Sequence, residues 1–135
     1  MDMSKMMVML GLVLPLASLA CNDEPTAADL SDCTGPVTLQ VSGGTVPRFS
    51  WTPACRLFAL LVEPEASGQD LWFIITEGGN SIAPDVTYGQ APAGAEERQP
   101  PAGLLTGTAY KVAVHRWIGP GGDDGELIGV QPFTP

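Results

Sequence analysis

The stretch Leu104-Leu105-Thr106-Gly107-Thr108-Ala109-Tyr110-Lys111-Val112-Ala113-Val114 decides the fold of this chain. Its first half places Gly107 among small polar residues, which reads as a turn. From Tyr110 onward the residues alternate. Tyr110, Val112 and Val114 fall on one side of an extended chain, and Lys111, Ala113 and His115 fall on the other. This is the pattern of a β-strand that turns one face to a core and is entered through a tight turn.

The same reading extends in both directions. Val37, Leu39 and Val41 share one face while Thr38, Gln40 and Ser42 share the other, and Phe49 and Trp51 repeat the pattern. The runs Leu57 to Val62 and Leu71 to Thr76 are apolar almost throughout, which predicts two central strands covered on both faces. Glu63 to Asp70 and Glu77 to Asn80 supply turns, and Ile82 to Tyr88 reads as a Pro-interrupted strand near an edge. Ala91 to Pro101, with Pro92, Pro100 and Pro101, is predicted to be an exposed loop. No amphipathic helix is evident. Short strands punctuated by Gly and Pro clusters predict an all-β sandwich or barrel.

The Leu104 to Val114 stretch resembles the fibronectin type III pattern, in which a Leu, a Gly-containing turn and a Tyr lead into the penultimate strand. The resemblance implies that Tyr110 makes a corner by hydrogen bonding back to the preceding turn. Phe49-Ser50-Trp51-Thr52-Pro53 looks like the second strand of that family with its buried Trp51, and Glu126 to Phe133 like the closing strand. An immunoglobulin-like antiparallel sandwich of about seven strands over residues 33–135 is the implied architecture. The Cys33 and Cys55 pair and the Pro-rich segment from Ala91 depart from the usual pattern.

Ahead of this domain, Lys5 precedes an apolar run from Met6 to Leu16, and Leu16-Ala17-Ser18-Leu19-Ala20-Cys21 follows. This looks like a bacterial lipoprotein signal, with residues 1–20 removed and Cys21 lipidated. Ser18 stands where an aliphatic residue is usual, and Ser18-Leu19-Ala20 also satisfies the small-x-small rule of an ordinary secretory signal. Either reading predicts export, and a transmembrane helix is the further alternative, disfavoured because the run is short for a bilayer and is followed by acid rather than a basic stop-transfer patch. Residues 21–32, acidic and polar with Pro25, read as a tether. Asn22 after the Cys favours the outer membrane over retention at the inner one, and secretion is the alternative.

With Cys21 consumed by lipid, Cys33 and Cys55 are an even pair in an oxidising compartment, and a disulfide is expected; two buried free thiols are the alternative. The formal net charge of −9 and the scattered Arg48, Arg56, Arg98, Lys111 and Arg116 argue against nucleic acid as a partner.

The polar residues offer little chemistry. His115 is the single histidine, and its expected place is a solvated strand face. No GxSxG elbow surrounds Ser31, Ser42, Ser50, Ser67 or Ser81. Neighbouring acids at Glu96-Glu97 and Asp123-Asp124 point apart on a loop. Gly119 to Glu126 is acidic enough for calcium, with Asp123, Asp124 and Glu126 as the donors, but it lacks EF-hand spacing and reads as a hairpin turn. Trp117, His115 and Lys111 share the outer face of one strand and are the candidate ligand-binding residues, whereas Trp51 and Trp72 are expected in the core. The expectation is a noncatalytic, lipid-anchored envelope module without a cofactor that binds a protein or glycan. A structural role in an envelope assembly through edge-strand pairing is the alternative.

Overall fold

The structure, a computed structural model, describes residues 29–120 and 125–135. Eight strands occur there: β1 (Thr38–Val41), β2 (Arg48–Thr52), β3 (Ala59–Pro64), β4 (Trp72–Ile75), β5 (Val86–Thr87), β6 (Glu96–Gln99), β7 (Tyr110–Trp117) and β8 (Gly125–Phe133). They form a three-stranded sheet in the order β1-β2-β5 and a five-stranded sheet in the order β6-β4-β3-β7-β8. All pairings within the two sheets are antiparallel.

Alternation explains how the two sheets meet. Leu39, Phe49, Trp51 and Val86 point inward from the smaller sheet and join Leu60, Val62, Trp72, Ile74, Val112, Val114 and Ile128 of the larger one in a single core. Each large side chain withdrawn from water there contributes about 1.5–3 kcal/mol before conformational entropy is counted. Phe49, Leu60, Val62, Trp72, Ile74, Val112 and Val114 are completely covered.

The turn that opens β7 is tied at two points. The Leu105 N–H donates to the Tyr110 hydroxyl at 2.8 Å, and the Gly107 N–H donates to the Pro135 carbonyl at 2.9 Å. Gly107 has φ of +84°, a conformation that glycine adopts without steric penalty. Tyr110→Phe is expected to lower stability by about 1 kcal/mol, because it leaves the Leu105 N–H without its acceptor. Urea unfolding of the two proteins measures that difference, and equal midpoints would show that the bond contributes nothing.

Cys33 and Cys55 form a disulfide with a Cα–Cα distance of 4.9 Å. It staples the chain ahead of β1 to the link between β2 and β3, and the buried Trp51 indole donates to the Cys55 carbonyl at 2.8 Å beside it. On another side the two sheets are joined directly. The Val37 N–H donates to the Ile128 carbonyl at 2.9 Å, and Gly129 lies close beneath Val37. A Cβ at Gly129 would stand 3.1 Å from Cγ2 of both Val37 and Val114 and 3.2 Å from the Val37 carbonyl oxygen, so the close approach of β1 and β8 depends on glycine there.

Two expectations are corrected. The segment from Ala91 to Pro101 is not all loop, because its Pro-free centre, Glu96 to Gln99, pairs with β4 as an edge strand. Its prolines stand outside the paired residues, where their missing N–H groups interrupt no ladder. A side-chain bond adds to the attachment, since the buried Trp72 indole donates to the Glu97 carboxylate at 2.9 Å. The second correction concerns the central strands. Leu57 pairs only as an isolated bridge with Ile82, and β3 begins at Ala59. Leu60, Val62, Trp72 and Ile74 are covered, but Leu61, Phe73 and Ile75 point to the opposite side and are only partly buried, with no further layer packed over them among the described residues.

Candidate functional site

The open side of the five-stranded sheet is built by register. Phe73 of β4 lies opposite Leu61 of β3, Leu61 opposite Ala113 of β7, and Ala113 opposite Val130 of β8. One step along, Ile75, Ala59, His115 and Leu127 form a second row across the same four strands. Seven of these eight side chains are apolar. Leu127 is 54% exposed and Val130 47% exposed.

Small residues shape this surface. Ala59 lies in one shallow groove, walled by Leu61, Phe73, Ile75 and His115 with Phe58 at its end, and Ala113 lies in a second, walled by Leu61, Leu127 and Val130. Each groove has a volume of about 220 Å³. Cross-strand pairs of this kind stabilise a sheet, but their outer surfaces here remain available for contact. At one end the Lys111 ammonium pairs with Glu63 at 3.3 Å, adding a polar boundary to the apolar rows.

The outer side of the three-stranded sheet gives an internal contrast. Thr38 and Thr52 lie opposite each other, as do Gln40 and Ser50, and Arg48 and Thr87. Arg48 pairs with Asp85 at 3.2 Å over that polar surface. An antiparallel sheet with one solvated side ordinarily looks like this. The larger sheet does not.

Of the expected ligand-binding residues, His115 and Lys111 do share the larger sheet's outer side, and Trp117 stands at its end beyond His115. His115 is half-buried rather than freely solvated, and burial holds its imidazole below its ordinary pKa of 6.5. The sign follows directly. Above pH 6.5 the ring is neutral in both folded and unfolded chains, and as pH falls through that value the unfolded chain takes up a proton first. Acidification to about pH 5.5 is therefore expected to lower the melting temperature, and His115→Gln should remove that part of the pH dependence. Parallel melting profiles of the two proteins would refute it.

Trp117 is partly buried, and its backbone is clamped by one side chain. Asn80 accepts from the Trp117 N–H at 2.8 Å and donates to the Trp117 carbonyl at 3.3 Å, so the turn after β4 carries on the ladder that β3 leaves off. Ile118, the next residue, is 55% exposed. Trp51 and Trp72 lie in the core.

Cys21, Asp123 and Asp124 fall outside the described residues. Glu126 is described, and its carboxylate accepts from Arg116 at 2.5 Å. Among the described residues no three His, Cys, Asp or Glu side chains gather as a metal site. The residues that the sequence reading did not single out are Leu61, Phe73, Ile75, Leu127 and Val130, the body of the apolar surface. No family model, no curated protein and no solved structure compared with the chain matches it.

Proposed function

We propose that this chain is an exported, noncatalytic protein of the cell envelope, anchored by lipid on Cys21, that binds a protein partner through the outer side of its five-stranded sheet. The observation that carries the reading is the pair of apolar rows, Phe73-Leu61-Ala113-Val130 and Ile75-Ala59-His115-Leu127, left open on a sheet whose companion has a polar exterior. Contiguous exposed apolar surface of this kind marks an interaction site.

The fibronectin type III-like assignment belongs to the same proposal. Strands β1, β2 and β5 against β3, β7 and β8 follow the order of the first, second and fifth strands against the third, sixth and seventh in an immunoglobulin-like sandwich, with β4 as the added neighbour of the third. The hydroxyl of Tyr110 at the entrance to β7 supports it further. Strand β6 is an addition to that plan.

A protein suits the surface better than a glycan. The rows offer aliphatic side chains, one phenyl ring and the single His115 imidazole, without the converging set of hydrogen-bond donors that a sugar needs. The net charge of −9 disfavours a second copy of this chain and favours a partner with a basic rim around its own apolar patch. Assembly by edge pairing finds less support, because β6 presents Glu96, Glu97 and Arg98 at one edge of the sheet.

A photoreactive amino acid placed at Val130 in cells is expected to give a discrete protein adduct, while the same group at Gln40 on the polar exterior gives none. Leu127→Asp combined with Val130→Asp should reduce that adduct, probed from position 61, at least tenfold. Stability should change by no more than about 0.5 kcal/mol per site, since both positions are half exposed. Equal labelling from positions 130 and 40, or none from either, would overturn the reading.

A further inference from the structure

We propose that the end of the domain carrying Trp117 and Ile118 is a lipid-contacting tip, which rests on the membrane surface when the chain is held by Cys21. The inference rests on the lipid-anchor reading. Its structural basis is separate from the protein-binding surface.

Three observations place this tip. First, Ile118 is 55% exposed and follows Trp117 at the end of β7, so an aliphatic and an indole side chain adjoin where the sandwich ends. An indole with one apolar body and one N–H is suited to the boundary between headgroups and acyl chains. Second, the chain enters the domain at the same end. Asp32, Cys33 and Thr34 line one open depression with Asn80, Arg116, Trp117 and Ile118. Third, the reach is short. From Cys21 to Asp32 the chain can extend by at most about 40 Å, so an anchored Cys21 holds this depression within that distance of the bilayer. Tethering of that length raises the effective concentration of a weak contact into the millimolar range.

The opposite end of the sandwich is set apart from the anchor. There the Gly107 N–H meets the Pro135 carbonyl, and the Glu65 N–H meets the Ala109 carbonyl. Among the described residues near the tip, Arg56 pairs with Asp32 at 2.6 Å and Arg116 with Glu126 at 2.5 Å. With Arg56 and Arg116 both paired, and with a chain of net charge −9, the surface it fits is zwitterionic rather than anionic.

The test uses the native acylated protein reconstituted into phosphatidylcholine vesicles with brominated acyl chains, which quench tryptophan within contact range. Trp51 and Trp72 are 2% and 0% exposed and serve as silent references. Quenching that requires Trp117, falls at least threefold in Ile118→Asp and weakens when anionic phosphatidylglycerol is added is the expected result. Quenching that persists in Trp117→Phe, or acylated protein that is not quenched, would overturn the proposal. If mass spectrometry finds Cys21 unmodified, the anchor reading fails by itself. A maleimide phospholipid coupled to Cys21, with Cys33 and Cys55 held in their disulfide, then decides the tip: Trp117-dependent quenching upholds it and its absence refutes it.

Discussion

Trp72→Ala is expected to lower the unfolding free energy by about 3–5 kcal/mol, the largest effect anticipated for a single substitution in this protein. Trp72 is fully covered, its ring meets Tyr88 edge-on at a centroid distance of 5.2 Å, and its indole N–H reaches the Glu97 carboxylate at 2.9 Å. Alanine removes the packing, leaves a cavity between the sheets and releases the carboxylate from its donor. The two losses can be separated. Trp72→Phe keeps most of the apolar volume but deletes the N–H, so its cost should be about 1–3 kcal/mol, with faster amide exchange in β6. Strand β6 is exposed along all four residues, and its attachment is the ladder to β4 together with this one indole bond. Urea unfolding gives the two free energies, and hydrogen exchange reads β6 directly. Unchanged exchange in Trp72→Phe would show that the ladder alone holds the strand.

Removing the Cys33–Cys55 bond is the second large effect. Replacing both residues with alanine is expected to cost about 3 kcal/mol in the chain-entropy description, since the bond closes a loop with a sequence separation of 22. For a domain near a hundred residues this lowers the melting temperature by roughly 12–24 °C. The bond also fixes the path by which the chain arrives at the sandwich, next to the parallel bridge between Asp32 and Arg56. Calorimetry of the double variant tests the magnitude. A loss below about 1 kcal/mol would mean that the bridge and ion pair between Asp32 and Arg56 keep this path without a covalent link.

The strands were legible wherever one side faces the core and the other faces water. Alternation from Tyr110 and from Val37 located β7 and β1, and the parity of the two cysteines together with an expected export signal led to the disulfide that the structure contains. Strand β6 is hidden because the proline content of Ala91 to Pro101 as a whole argues against a strand, while pairing depends only on the four residues Glu96 to Gln99. The apolar exterior was hidden for a different reason. A continuous run such as Leu57 to Val62 signals apolar residues on both sides of a strand, yet says nothing about whether a second layer covers the outer side. The clue was the lack of an amphipathic helix from Cys33 onward. An antiparallel sheet with two apolar sides and no helix to lie on it leaves one side without a covering layer of its own. Asn80 had no such clue, because a side chain completing a ladder to Trp117 depends on register that only the folded chain defines.

The way the larger sheet ends at its two margins has a consequence for how association can proceed. One margin is β6, where Glu96, Glu97 and Arg98 stand on the edge, and the other is β8, where the Ile128 carbonyl is taken by Val37. A sticky flat surface is hazardous when its margins can also accept strands, because each added chain then presents the same template to the next. Here the surface is open, one margin is charged, and the other has its Ile128 carbonyl occupied. On the proposed reading a partner docks face-on, and the charged β6 edge and the occupied Ile128 carbonyl oppose strand addition beside it.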